Sequence, residues 1–224
     1  MQIKNQPSIG NRSWLKPVFR VGAISLLFAF AQVAADTGQP ALQSPGASGE
    51  TPQASFWIED PYAHKSIKAQ TRVPDMTLWN AQRIKDYEDS LLVNAEAPIG
   101  VLTIGDINVQ IPIYDGSEDL NLDRGVGRIK GMAWLGQPGN LGIAGHRDGV
   151  FRGLKDIEKG DEIEVLSVYG VENYKVQSIT IVDISDVHVL EPTPDKTLTL
   201  VTCYPFYHIG HAPQRYIVTA KATE

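Results

Sequence analysis

The chain has 224 residues, 42% of them hydrophobic and 21% charged, which is the composition of a folded protein with an ordinary core and excludes wholesale disorder. Four of the 20 basic residues and none of the 26 acidic ones precede Asp36, so the remainder carries an excess of ten negative charges. That balance argues against nucleic acid and against a polybasic membrane contact.

The first 35 residues differ from the rest. Lys4, Arg12, Lys16 and Arg20 precede an apolar run from Val21 to Ala31, followed by Gln32-Val33-Ala34-Ala35. A basic flank, an apolar centre and small residues at the end are what an export signal requires. The run is shorter than the roughly 20 apolar residues of a bilayer crossing, and Val33 and Ala35 suit a cleavage site. Val18 and Phe19 extend it toward an uncleaved anchor. Residues 1–35 therefore read as an export signal or a membrane anchor, and either way the rest of the chain is exported.

Residues 36–73 read as a flexible tether, richest in Gly, Pro, Ser, Ala and Gln between Thr37 and Thr51. Phe56-Trp57-Ile58 fits either a linker or a segment wrapped around the domain. A helix is expected over 74–97, capped by Asp75, with Leu78, Ile84, Tyr87 and Leu91 near helical spacing and Pro98 ending it. It reads as an amphipathic helix packed on a sheet.

From 98 to 224 the texture is that of strands. Ile99–Ile104 and Ile107–Tyr114, joined at Gly105-Asp106, predict a hairpin, with Pro112 suited to an edge or a bulge. Residues 115–140 are Gly-rich and aperiodic, with a brief helix expected at Leu120–Arg124. Leu141–Gly145 reads as a short buried strand, and Phe151–Ile157 as one or two helical turns. Glu162–Val168 and Val171–Ile184 alternate as strands, with a further short piece at Val187–Leu190. Thr197–Cys203 is β-branched at most positions and bounded by Pro194 and Pro205; Arg215–Ala220 closes the pattern. Seven or eight short strands with little helix predict a mainly β fold, one closed or nearly closed barrel.

Cys203 is the chain's single cysteine, so no internal disulfide can form. An exported free thiol is either a buried structural residue or a nucleophile, and a nucleophile needs a partner. His146, at a Gly-flanked turn after a short strand, is the best candidate, against the plainer reading of a surface or hydrogen-bonded histidine. Arg215 opens the strand after Cys203 and suits either a salt bridge or a donor to a carbonyl gaining charge. His208 and His211 share a loop, yet two histidines without clustered Cys or an intervening Glu make a poor metal site. Neither a metal nor another cofactor is expected. Asp148 fits a cap on the following turn better than a partner for His146.

Together these residues resemble the sortase family. Thr199-Leu200-Val201-Thr202-Cys203 is similar to the TLXTC signature at every specified position, and Gly145-His146-Arg147-Asp148 to the histidine turn in its GHRD form. Arg215 follows the cysteine by twelve residues, and His146 precedes it by 57. The resemblance covers Pro98 to the C-terminus. The tail from Cys203 through Arg215 looks most like class D sortases and the related enzymes of Gram-negative bacteria.

The resemblance implies an eight-stranded barrel carrying a cysteine transpeptidase, within the thiol-peptidase class. Its substrate would be a protein with an LPXTG-like C-terminal sorting signal, cut after Thr and passed to an amine acceptor in the envelope. Cys203 would form the thioacyl intermediate, His146 would move protons, Arg215 would hold carbonyl oxygens, and Thr202 would line the substrate groove. The enzyme would work at the outer face of the bacterial plasma membrane, held by its N-terminal segment, or in the periplasm after cleavage. An exported cysteine hydrolase with the same pair, or a non-catalytic barrel binding envelope proteins, are the alternatives.

Overall fold

The computed structural model describes residues 53–207 and 212–223. The segment 1–35, the tether as far as 52, and His208 and His211 lie outside the described residues. Among those described, no helix is long and apolar enough to cross a membrane.

The first element departs from expectation. Residues expected as the end of a tether form an antiparallel hairpin, β1 (Gln53–Asp60) and β2 (Lys65–Arg72), in register from Gln53↔Arg72 to Asp60↔Lys65. Strand periodicity explains it. Phe56 and Ile58 on β1 and Ile67 and Ala69 on β2 share one face, and that face packs on Val101, Leu166 and Val168. The Asp60 carboxylate closes the turn by accepting from the amides of Tyr62 and Ala63 at 2.8 and 2.7 Å. It also takes the Trp134 indole N–H at 2.8 Å, tying the hairpin to the domain.

The helix α1 is shorter than expected, spanning Ala81–Leu91. Its cap is Asn80, whose side-chain oxygen accepts from the Arg83 amide at 2.8 Å. Asp75 instead makes a local turn with the Thr77 amide at 2.9 Å. Trp79 meets Tyr87 edge to face at 5.7 Å. The main neighbour of α1 is a second short helix, α2 (Asp119–Arg124), and not a sheet.

Eight strands close into a barrel in the order β10-β8-β7-β3-β4-β5-β6-β9. They are β3 (Gly100–Ile104), β4 (Val109–Asp115), β5 (Val126–Arg128), β6 (Asn140–Ala144), β7 (Glu162–Ser167), β8 (Gly170–Asp183), β9 (Thr197–Tyr204) and β10 (Gln214–Ala222). The pairs β4/β5 and β6/β9 are parallel and the others antiparallel. Leu102, Ile113, Ile143, Ile163, Leu198 and Leu200 fill the interior and are fully buried. Short 3₁₀ turns at Val150–Asp156 and His188–Leu190 stand where helical turns and a short piece were expected.

Strand β5 was not foreseen, because three residues are too few to alternate. Its glycine is steric: a Cβ at Gly127 would come within 2.2 Å of the Gly116 carbonyl oxygen. Arg128 beside it is buried but paired with Asp115 at 2.8 Å, and its guanidinium lies 4.6 Å from the centre of the Trp134 ring. Pro112 sits inside β4 opposite Val101, just before the β4/β5 pairing begins at Ile113. A closed barrel leaves no edge for it, and the missing N–H is placed where that ladder has not started.

Candidate active site

One number organises the site. Every pair in the parallel β6/β9 ladder, from Asn140↔Thr197 to Ala144↔Val201, joins residues 57 apart. Gly145 continues the pattern: its amide donates to the Val201 carbonyl at 3.1 Å, and its carbonyl accepts from the Thr202 hydroxyl at 2.7 Å. The next pair at the same offset is His146 and Cys203. β6 ends at Ala144 and β9 at Tyr204, so His146 and Cys203 both fall at the same end of this parallel pair.

Buried polar groups hold this register. The Thr199 hydroxyl donates to the Asn140 side-chain oxygen at 2.7 Å, and the Asn140 amide donates to the carbonyls of Val189 and Glu191 at 3.2 and 3.0 Å. Both side chains are buried. A slip of one residue would leave them unsatisfied and turn the apolar faces of Leu198 and Leu200 outward.

Arg215 enters from the other side of β9. It is the cross-strand partner of Cys203, so the two side chains stand on one face of the sheet. One guanidinium nitrogen donates to the carbonyls of Ala212 and Gln214 at 3.2 and 3.0 Å, fixing the group at the entrance to β10. Three adjacent strands thus bring His146, Cys203 and Arg215 to one end of the barrel. Cys203 is a free thiol, only partly buried. Behind it Tyr204, Phe206 and Tyr216 pack as an aromatic cluster with ring centres 5.0 to 6.2 Å apart.

Thr202 is placed differently from expectation. Strand alternation turns its side chain away from the face of Cys203, and it is 2% exposed. A residue so buried does not line a groove; its hydroxyl holds the carbonyl just before His146. Asp148 also departs from its expected role. Gly149 precedes the 3₁₀ turn without any side-chain cap, and the Asp148 carboxylate lies 3.5 Å from Arg83 Nε.

The surroundings of His146 contain residues that sequence reading missed. Its Nε2 is 3.6 Å from Asp123 Oδ1 on α2, and that same oxygen is bonded by Arg83 Nη1 from α1. Burial pushes the imidazole's pKa below its ordinary value and the Arg83 guanidinium adds to this, while Asp148, Asp123 and Asp119 pull upward. Arg83 and Asp123 lie 63 and 23 residues before the histidine, on elements with no signature. Their one signal was a charged residue within each of two short helices.

Two surface clefts, of about 270 and 390 Å³, contain none of His146, Cys203 and Arg215. A partly exposed thiol, an imidazole and a guanidinium at one strand end can support acyl transfer: nucleophile, proton carrier and anion donor.

Comparison with known proteins bears on the family of the chain. The Sortase domain family model matches residues 102–223, more than half of the chain. The chain is 39% identical to Sortase D of Bacillus subtilis over 123 residues, which is 54% of this chain and 62% of that protein. It is 28% identical to Sortase A of Listeria monocytogenes over 48% of this chain and 50% of that one. It therefore spans only half to three fifths of the length of these curated relatives. Among solved structures, the Sortase D5 transpeptidase of Clostridium perfringens superposes with a TM-score of 0.53 at 29% identity, over 65% of this chain and 91% of that one. The TM-score is also 0.53 for Sortase C1 of the group B streptococcal Pilus Island 1, at 30% identity over 57% and 66% of the two chains.

Proposed function

This chain belongs to the sortase family, and on that footing we propose that it is a cysteine transpeptidase acting on proteins with an LPXTG-like C-terminal sorting signal. The observation that supports this most is the 57-residue register of the parallel β6/β9 ladder, an offset that His146 and Cys203 share just past its last pair, with Arg215 as the antiparallel partner of Cys203.

The chemistry follows from those positions. His146 takes the proton of the Cys203 thiol as the sulfur attacks the Thr carbonyl carbon of the signal, and the carbonyl oxygen takes up the negative charge. Arg215 donates to that oxygen, which steadies the tetrahedral intermediate. As the C–N bond breaks, His146 gives its proton to the departing amine and a thioester remains on Cys203. An acceptor amine then attacks the thioester, passes a proton back to His146, and the thiolate leaves. Thr202 serves from behind, holding the Gly145 carbonyl and with it the histidine turn.

The N-terminal segment carries the domain to the cell envelope, at the outer face of the plasma membrane or in the periplasm, where protein substrates and amine acceptors meet. The test is mass spectrometry of an LPXTG-type peptide incubated with the enzyme, with and without a primary amine. An amide product that forms faster than free acid is the expected result. Free acid alone, whatever the amine, would make the protein a hydrolase. Cleavage that survives in Cys203→Ala would remove the cysteine mechanism altogether.

A further inference from the structure

We propose that Arg83, carried by α1, is a positioning residue for His146: it bonds Asp123 and lies beside Asp148, two carboxylates that act on the imidazole, and so decides how much of their charge reaches the ring. This rests on reading His146 as the proton carrier of the site. Three features carry the inference.

The first is a shared atom. Asp123 Oδ1 bonds Arg83 Nη1 and stands 3.6 Å from His146 Nε2, beyond hydrogen-bond reach. The carboxylate is therefore held by the arginine and withheld from the imidazole. The second is the fork itself. Arg83 Nε lies 3.5 Å from Asp148 Oδ1 and is a buried nitrogen with no hydrogen bond, so one planar group spans both carboxylates. The third is packing. The Arg83 side chain is 14% exposed, and a Cβ added at Gly149 would touch both Arg83 Cδ and His146 Cβ at 3.5 Å. The stem lies within a methyl's width of the histidine turn.

The charged groups that face His146 are then Arg83 from α1, Asp119 and Asp123 from α2, and Asp148 from its own turn. Cys203 of β9 and its cross-strand partner Arg215 of β10 stand at the same end of the barrel. Three carboxylates and one guanidinium act on the ring. With Arg83 in place, burial and its positive charge favour neutral imidazole. Without it, the carboxylates are unopposed and one is free to close on the ring, which favours imidazolium. Through Arg83, an element outside the barrel acts on the chemistry inside it.

NMR titration of His146 in the full chain tests this, in a Cys203→Ala background that removes the thiol's own ionisation. Arg83→Met should raise the midpoint by about one pH unit, the scale of a neighbouring charge. Arg83→Lys, which keeps the charge, should restore most of it. Asp123→Asn should lower the midpoint. Opposite signs matter, because loosening α1 would hydrate the ring and raise the midpoint in every variant. An unmoved midpoint in Arg83→Met with the amide spectrum retained overturns the proposal. If that variant does not fold, an unmoved or raised midpoint in Asp123→Asn overturns it. In enzyme with Cys203 intact, the histidine limb of the pH–rate profile should follow the same shifts. Midpoints that move while the rate profile does not would leave the role of Arg83 standing and sink His146 as the proton carrier.

Discussion

His146 has two neighbourhoods built on different physics. On the β9 side it is placed by a backbone ladder and by neutral, buried hydrogen bonds from Thr199 and Thr202. On the α1/α2 side it meets charged side chains, Arg83, Asp119, Asp123 and Asp148. The first set is indifferent to salt and pH and fixes position. The second responds to both and sets charge. Position and charge can therefore be changed separately, and each substitution below acts on one of them.

The largest effect belongs to the strand side. Cys203→Ala should abolish turnover, measured as peptide cleavage, with the fold retained. Arg215→Lys should lower kcat by about 10²–10³, the cost of losing one donor to a developing oxyanion, since a point charge does not replace the planar fork. Near-normal rates from that variant would remove Arg215 from the transition state. Thr199→Val leaves the buried Asn140 oxygen without its donor and should cost about 1–3 kcal/mol in a denaturant titration, without shifting the pH–rate profile. A shifted profile would mean that the two neighbourhoods are not separable.

The charged side is expected to give smaller effects of a different kind. The folded-state pKa of His146 lies below that of an unfolded histidine, so the unfolded chain takes up the extra proton first. The stability tied to this residue is thus complete above about pH 6.5 and is lost as pH falls through the folded value. His146→Gln should flatten that part of the stability–pH curve; an unchanged slope would mean that the ring is not held neutral by its surroundings. Smallest is Asn80→Ala, which removes the α1 cap and should cost about 1 kcal/mol by thermal unfolding.

This division also decides what could be read from the sequence. Most barrel strands were legible because Glu162–Ser167 and Thr197–Tyr204 carry a period or a β-branched run with breakers at the ends. His146, Cys203 and Arg215 were legible as motifs, and the 57 residues between His146 and Cys203 equal the offset of the β6/β9 register. The hairpin at 53–72 was missed because its one apolar face is thin and flanked by linker-like residues. β5 was missed because three residues carry no period. Arg83 and Asp123 were missed for a deeper reason: nothing local marks a charge whose partner is brought to it only by the fold. Thr202 shows the converse, since the motif marks it and only its burial reveals which way it faces.

The most direct test of the account is the intact mass of the enzyme after incubation with an LPXTG-type peptide in the absence of amine. An added mass equal to the peptide up to and including its Thr is expected, located on Cys203 and discharged by a primary amine with formation of the amide. Peptide cleaved with no adduct at any time, or an adduct that persists in Cys203→Ala, would contradict it.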